Sequence, residues 1–217
     1  VVSARRSFLD FFTDDVGFGG VPVNYSVNAK AVYDLSPRDR VWLVNIAGVD
    51  EIRLGLAETT DLQEELANFD IRYDGWRSAT GFNWQRIFGQ RGVGLLGVTH
   101  SEAKVGQQVK DLVASGVPPA GVPPEDIIAQ SPVVYFEDSR EGETTIKYDL
   151  TVHLPFLDTV QAGGSFKTFR INYVAQSPFG NDTPYSPVPG IDPFDLDTEF
   201  RSHQTGAYLQ ASKQVAS

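Results

Sequence analysis

Apolar and polar residues alternate along several stretches of this chain. From Val21 to Tyr33 the odd positions are apolar and the positions between them are mostly polar. A period of two is typical of a strand with one buried face. Residues 146–154 and 169–173 repeat the pattern, whereas 41–47 is apolar almost throughout, as in a strand covered on both faces. We therefore predict several strands, with 41–47 as the central one.

The remaining strand signals are shorter. Residues 133–136 and 146–154 flank the polar segment 137–143, which predicts a long hairpin with its turn in that segment. Residues 71–76 and 82–88 are aromatic-rich and lie beside Gly-rich turns, which favours two further strands.

Two segments match a helical pattern instead. Thr60 followed by Gln63 resembles a capping box, which predicts a helix at 60–69. Ser101 can cap a second helix extending to Ala114, because apolar residues recur there at helical spacing. These residues are Val105, Val109, Leu112 and Val113. The sequence thus predicts an all-β fold, a jelly-roll or related antiparallel β-sandwich with two short connecting helices.

The length of 217 residues is usual for one sandwich domain. Within 1–217 we expect residues 1–19 to form an N-terminal arm and 201–217 a loosely held C-terminal tail. The Pro-rich stretch 116–124 cannot hold a regular ladder, because proline lacks a backbone donor, and is expected to be a loop or linker.

Composition narrows the classes of function. The net charge of −10 makes nucleic acid an unexpected partner, because binding phosphates relies on a basic surface. An acidic surface also suits a halophilic source, with an ordinary acidic surface as the alternative. The absence of Cys excludes thiol catalysis. The longest apolar run, 41–49, is too short for a membrane-spanning helix, and we therefore expect a soluble protein.

Candidate catalytic and metal-binding residues are weakly patterned. Gly92, Gly94 and Gly97 match a dinucleotide-binding spacing, but the surrounding pattern is antiparallel and favours a glycine loop. The three histidines lack the spacing of a zinc motif. Two acidic stretches have solvated surface as one interpretation. In the first, the alternative is a pair of carboxylates for sugar hydrolysis, drawn from Glu137, Asp138, Glu141 and Glu143. In the second, the alternative is a calcium site formed by Asp192, Asp195, Asp197 and Glu199. We predict no enzyme activity, no catalytic or metal-binding residues and no cofactor.

The N-terminal arm combines basic and bulky apolar side chains. Such an arm can clamp a neighbouring subunit, lie on a membrane surface or fold onto its own core. The residues predicted to make the assembly or membrane contact are Arg5, Arg6, Phe8, Phe11 and Phe12.

The arm, the alternating strands, the Pro-rich loops and the acidic composition resemble the small single-jelly-roll major capsid proteins of icosahedral viruses with an internal membrane, of the haloarchaeal or thermophile type. The resemblance implies a structural protein of the virion that assembles with copies of itself, with a second capsid protein as a further partner and the arm facing the membrane. The alternative is an extracellular carbohydrate- or other ligand-binding β-sandwich module that uses exposed aromatic rings. Its binding residues would be Trp76, Trp84 and Tyr185.

Overall fold

The part of the chain that the structure describes consists almost entirely of antiparallel strands, most of them long. A computed structural model describes residues 1–8, 22–54, 68–114, 116, 121–179 and 185–213. The strands are β1 (Val2–Arg6), β2 (Val23–Ser36), β3 (Asp39–Leu54), β4 (Phe69–Phe88), β5 (Gly92–Asp111), β6 (Val133–Leu154), β7 (Leu157–Ser177) and β8 (Phe194–Ser212). One short helix, α1 (Pro124–Gln130), lies between β5 and β6.

The strands form one eight-stranded sheet in chain order, and each pairs antiparallel with its sequence neighbours. The predicted all-β antiparallel class is confirmed, and the architecture is consistent with a sandwich or jelly-roll-like fold. This arrangement brings together residues that lie far apart in the chain but share a register position.

The two ends of the sheet differ in their connections. At one end, β2 and β3, β4 and β5, and β6 and β7 are joined by tight turns, and we call it the hairpin end. Ser36 Oγ accepts the backbone N–H groups of Arg38 and Asp39, which closes the first turn. Gly89 in the second turn has a φ of 62°, which costs glycine little. The other end carries the longer connections, and we call it the loop end.

The two faces of the sheet follow from the register, because directly paired residues lie on the same face. One row across the sheet consists of Ala29, Asn45, Thr80, His100, Thr144, Thr168 and His203. We call the face that carries this row the front face, and the opposite face, which carries Glu143 and Lys167, the back face.

The described core lies on the back face near the loop end. Phe69, Ile71 and Val109 are buried there by neighbouring apolar side chains from several strands and by Tyr185. The ring of Tyr185 packs edge-on against Phe69 and Tyr135, at centroid distances of 5.8 and 5.7 Å. Burial of such side chains stabilises the fold by roughly 1.5–3 kcal/mol each. This half of the sheet therefore has its apolar surface at the back.

The helix predicted from Ser101 to Ala114 is wrong, because residues through Asp111 belong to β5. Val105 and Val109 are four positions apart, a spacing that satisfies a period of two as well as a helical turn. Both lie on the back face of β5. The other predicted helix, 60–69, falls outside the described residues except for Asn68 and for Phe69, which begins β4.

Two predicted irregular segments are strands. The polar segment 137–143 is not a hairpin turn but the middle of β6, and the turn to β7 lies at 155–156. Its acids fit in a strand because neighbouring strands supply partners, such as Lys167 for Glu143. Residues 201–212, expected in a tail, lie in β8 and are held by backbone pairing to β7.

The N-terminal arm and the glycine motif also differ from expectation. Residues 2–6 of the arm form the edge strand β1, and residues 9–21 lie outside the described part of the chain. Gly92, Gly94 and Gly97 lie within β5 instead of forming a loop. A Cβ on Gly94 would lie 2.5 Å from the hydroxyl of Tyr148, because aromatic rings cover this position.

Candidate functional site

An apolar band covers the front face near the hairpin end. Its first row joins Leu43, Phe82, Val98, Ile146 and Phe166, each directly paired with the next across five strands. The next row towards the hairpin end contains Tyr33, Val41, Trp84, Leu96 and Tyr148. We use the name apolar band for these ten residues.

The apolar band is uncovered by the described residues. The side chains of Leu43, Phe82, Ile146 and Phe166 are 42–47% exposed, and Tyr33 is 67% exposed. Large contiguous apolar patches are rare on monomeric soluble proteins and usually mark an interaction surface. The band is therefore a candidate contact surface.

At the level of the band and its border, the back face of β6 and β7 is polar, whereas β2 and β3 carry Val32, Trp42 and Val44 there. Glu143 accepts hydrogen bonds from Thr145 Oγ1 at 2.7 Å and Lys167 Nζ at 3.0 Å. These two hydrogen bonds, from Thr145 and then Lys167, outweigh desolvation and lower the pKa of Glu143. The same strands thus carry exposed apolar groups in front and ion pairs behind.

A second polar cluster on the back face involves Asp149. Its carboxylate accepts from Tyr208 Oη at 2.8 Å and lies 2.9 Å from Lys147 Nζ. Desolvation acts to raise the pKa of Asp149, but the hydrogen bonds from Lys147 and Tyr208 outweigh it and the net pKa is lowered. The hydrogen bond that Tyr208 donates to Asp149 raises the pKa of Tyr208.

A row of mostly polar side chains borders the band on its loop-end side. Asn45 Nδ2 donates to Thr80 Oγ1 at 2.7 Å, and His100 Nδ1 lies 2.8 Å from Thr144 Oγ1. The imidazole of His203 stacks on Phe166 with a centroid distance of 5.8 Å. This row marks the boundary of the band.

Basic side chains follow in the next two rows of the front face, which we call the cationic rows. One row carries Glu102, Arg170 and Arg201, and the other carries Arg6, Lys104, Arg140 and Glu199. Several of these residues line a groove of about 800 Å³ together with His100 and His203. The following row towards the loop end is acidic, with Glu51, Asp74, Asp138 and Asp197. Along β6 the front face is thus ordered as apolar, polar, basic and acidic, whereas on β2 and β3 the cationic rows carry Val27, Ala47 and Val49.

The predicted arm contact is only partly assembled. Arg6 lies on the front face, donates its Nε–H to Tyr25 Oη at 3.0 Å and stands 5.6 Å from that ring. Arg5 pairs with Ser26 on the back face, and Phe8 is 60% exposed. Phe11 and Phe12 lie outside the described residues. Arg6 therefore joins the cationic rows, while Arg5 points away from them.

The three aromatic residues of the ligand-binding alternative are not brought together. Trp84 lies in the apolar band and Trp76 lies in a cationic row of the same strand. Eight residues of strand separate them, or about 27 Å at ~3.4 Å per residue. Tyr185 packs over the back face. These rings do not form a shared platform.

Apart from Asp192, which precedes β8, the acidic residues of both stretches lie on strands. Asp195, Asp197 and Glu199 fall on the front face of β8, where Glu199 is 2.6 Å from Arg201. Among the residues that the structure describes, no group of three or more histidine or acidic side chains is arranged to hold a metal ion. Within the same residues, no helix is long and apolar enough to cross a membrane.

Sequence reasoning missed the apolar band and the cationic rows. The sequence feature that could have revealed the apolar band is a change in which alternate positions are apolar along one strand. In β7 the apolar residues Val160 and Phe166 are even-numbered, whereas Phe169, Ile171 and Tyr173 are odd-numbered. The apolar surface thus changes face partway along the strand.

No protein-family model and no curated protein matches this chain.

Proposed function

We propose that this protein is a structural component of a membrane, with the apolar band of its front face in contact with lipid acyl chains. The observation that carries the proposal is the opposite polarity of the two faces at one level of the sheet. Ile146 and Phe166 are exposed on the front, while Lys147 and Asp149 form an ion pair behind them. Lipid on the front and water on the back would satisfy both surfaces.

The front face of β4 near the hairpin end is long enough to suit a bilayer. From the boundary residue Thr80 to Phe88 it measures about nine residues, and a tilted strand needs about 9–11 to cross the hydrocarbon. The apolar band occupies the middle of this stretch, and the next front-face residue after Trp84 is Arg86, which lies 3.8 Å from Asp39. Trp84 and Tyr148 lie nearer the hairpin end than Phe82 and Ile146. Tryptophan and tyrosine are favoured where hydrocarbon meets the headgroups.

A sheet in lipid needs both of its edges paired, because unpaired backbone groups cost several kcal/mol each in hydrocarbon. Among the described strands, β1 and β8 each pair with a single neighbour. The proposal therefore includes further strands at both edges, beside β8 and beside the part of β2 that β1 does not cover, supplied by copies of this chain. Self-assembly, expected from the resemblance, thereby becomes a requirement of the membrane role.

This proposal departs from the expectation of a soluble protein. That expectation considered only uninterrupted apolar runs, which a membrane-spanning helix needs. A strand exposes only every second residue on one face, so alternate apolar residues suffice to build a lipid-facing surface.

The three tryptophans allow a direct test. Single-tryptophan variants that keep Trp84, Trp76 or Trp42 are reconstituted into phosphatidylcholine vesicles with brominated acyl chains, and quenching of fluorescence is measured. Trp84 lies in the band, Trp76 in a cationic row, and Trp42 on the back face at the level of the band. We expect strong quenching of Trp84, weaker quenching of Trp76 and the least for Trp42.

Equal quenching of Trp84 and Trp42, or quenching of neither, would contradict the proposal. Trp42 is the matched control because Trp42 and Trp84 lie at similar distances from the hairpin end and differ in the face they occupy.

A self-assembling shell subunit, as in a viral capsid, is the second candidate. The observation that favours it is the length of the edge strand β8, 19 residues, most of them exposed. Exposed edges readily pair with strands of other chains. The native mass in detergent-free buffer at low and high salt tests this candidate: a large, discrete assembly without lipid would support the shell, and a requirement for lipid or detergent would count against it.

A further inference from the structure

We infer that the cationic rows bind the phosphate groups of anionic lipids at the border of the apolar band. This inference rests on the proposed membrane role, because the band sets the level at which headgroups would meet the protein. It adds a class of partner, the anionic lipid headgroup, and a set of residues that would recognise it.

The spacing along β7 matches the order of layers in a bilayer. Phe166, Thr168 and Arg170 follow one another on the front face, so Arg170 lies about 14 Å from Phe166 at ~3.4 Å per residue. Arginine and lysine extend their charged groups from apolar surface towards the headgroups. The guanidinium of Arg170 can therefore reach phosphates just outside the hydrocarbon.

The charge balance also favours an anionic partner. The cationic rows hold five basic residues and two acidic ones in a chain whose net charge is −10. The acidic row lies farther from the band than the cationic rows, and its Asp74 and Asp138 pair with Lys104. A general excess of basic surface does not explain this order, because the chain as a whole is acidic.

The existing ion pairs leave donors for phosphate. Arg140 lies 4.0 Å from Asp138 and Arg170 lies 3.4 Å from Glu199, and the two arginine side chains are 55% and 62% exposed. Exposed pairs of this kind contribute little energy. A guanidinium has five N–H donors in a geometry that suits phosphate oxygens. At Arg140 and Arg170 phosphate can therefore bind without breaking a strong interaction, whereas Lys104 is held between Asp138 at 3.2 Å and Asp74 at 3.6 Å.

Aromatic residues in the same row support a headgroup environment over free phosphate. Tyr25 and Trp76 lie between Arg6 and Lys104 in one cationic row, and Tyr25 is 49% exposed. Amphipathic rings are favoured at the headgroup level of a membrane. A site for a free inorganic ion does not require these rings beside an apolar band.

Trp76 serves as the reporter in the test. A protein that keeps only this tryptophan is reconstituted into mixed vesicles in which either the phosphatidylglycerol or the phosphatidylcholine is brominated. The ratio of the two quenching values gives the lipid preference beside the cationic rows. The test variant carries Lys104→Gln, Arg140→Gln and Arg170→Gln. The control carries Lys147→Gln, Arg40→Gln and Arg77→Gln, which remove the same charge from the back face.

We expect a preference for phosphatidylglycerol that falls about tenfold or more in the test variant and remains in the control, since each basic residue near an anionic surface contributes about fivefold. The preference should also weaken as salt is raised. Equal quenching by both lipids, or an equal loss in the two variants, would overturn the inference. The proposed membrane role is judged separately, from quenching of Trp84 in phosphatidylcholine alone.

Discussion

Trp84 donates its indole Nε1–H to Oδ1 of Asp39 at 3.1 Å, across β3 and β4 near the hairpin end. The other carboxylate oxygen of Asp39 accepts a hydrogen bond from the Ser36 hydroxyl at 2.9 Å, in the turn between β2 and β3. Asp39 thus links a turn to an aromatic ring of the apolar band. The ring can face an apolar medium because its polar N–H is satisfied within the protein.

Replacing Asp39 with Ala should lower the free energy of unfolding by about 1–3 kcal/mol, because hydrogen bonds to a charged acceptor are lost. Denaturant unfolding followed by tryptophan fluorescence measures the change. Asp34→Ala is the matched control: Asp34 pairs with Arg40 near the same turn but is well exposed, so its loss should be smaller. Equal losses would show that the link through Asp39 is unimportant.

Neighbouring residues of β4 separate the two faces at the level of the band. Phe82→Lys places a charge on the apolar band, which should reduce vesicle insertion by about 2–4 kcal/mol if the front face lies in lipid. Asn83→Lys places the same charge on the polar back face and should leave insertion nearly unchanged. Flotation with phosphatidylcholine vesicles measures both variants. A similar effect of the two substitutions would argue against a lipid-facing front face.

Gly163 on β7 is covered by the ring of its cross-strand partner Tyr208. A Cβ at position 163 would clash with Cε1 of Tyr208 and lie 2.7 Å from Oδ1 of Asp149. We expect Gly163→Ala to destabilise the protein by about 1–3 kcal/mol, a typical cost of overpacking. Thermal unfolding measures this cost.

Gly206→Ala on the adjacent strand is the control for Gly163→Ala, because its Cβ would lie 3.4 Å from Ser165 Oγ and make a tight but adjustable contact. In a Tyr208→Ala background the cost of Gly163→Ala should shrink, since the clashing ring is gone. An unchanged cost in that background would assign the effect to the backbone instead.

Glu143 provides a prediction about pH. Hydrogen bonds from Thr145 and Lys167 lower its pKa below the ordinary 4.5. A carboxylate with a lowered folded-state pKa stabilises the fold above its unfolded pKa, and this contribution is lost as pH falls through the folded pKa. The loss is therefore expected below about pH 4.5. Carboxyl chemical shifts measured by NMR during an acid titration report the pKa directly.

Lys167→Met should raise the pKa of Glu143, because one of the two lowering hydrogen bonds disappears. Lys30→Met is a control on β2, remote from Glu143, and should leave that pKa unchanged. An unchanged pKa in Lys167→Met would mean that Thr145 alone accounts for the shift.

Local patterns in the sequence determined much of the secondary structure. The alternation at 21–33, 146–154 and 169–173 correctly predicted strands, because a strand places successive side chains on opposite faces. The same rule was ambiguous at Val105 and Val109, whose spacing also fits a helix. The rule gave no prediction for residues 201–212. This edge strand has few apolar residues and is held by backbone pairing to β7, which leaves no pattern in its own sequence.

The tertiary structure alone decided what the surfaces are. Leu43, Phe82, Ile146 and Phe166 lie on four different strands, and only the sheet register places them in one row. The ion pair of Glu143 with Lys167 on the back face depends on the same register. Alternation within the sequence determines that each strand has two unlike faces. Hydrogen bonding between strands decides which residues of distant segments share a face, and this pairing creates the apolar band and the cationic rows.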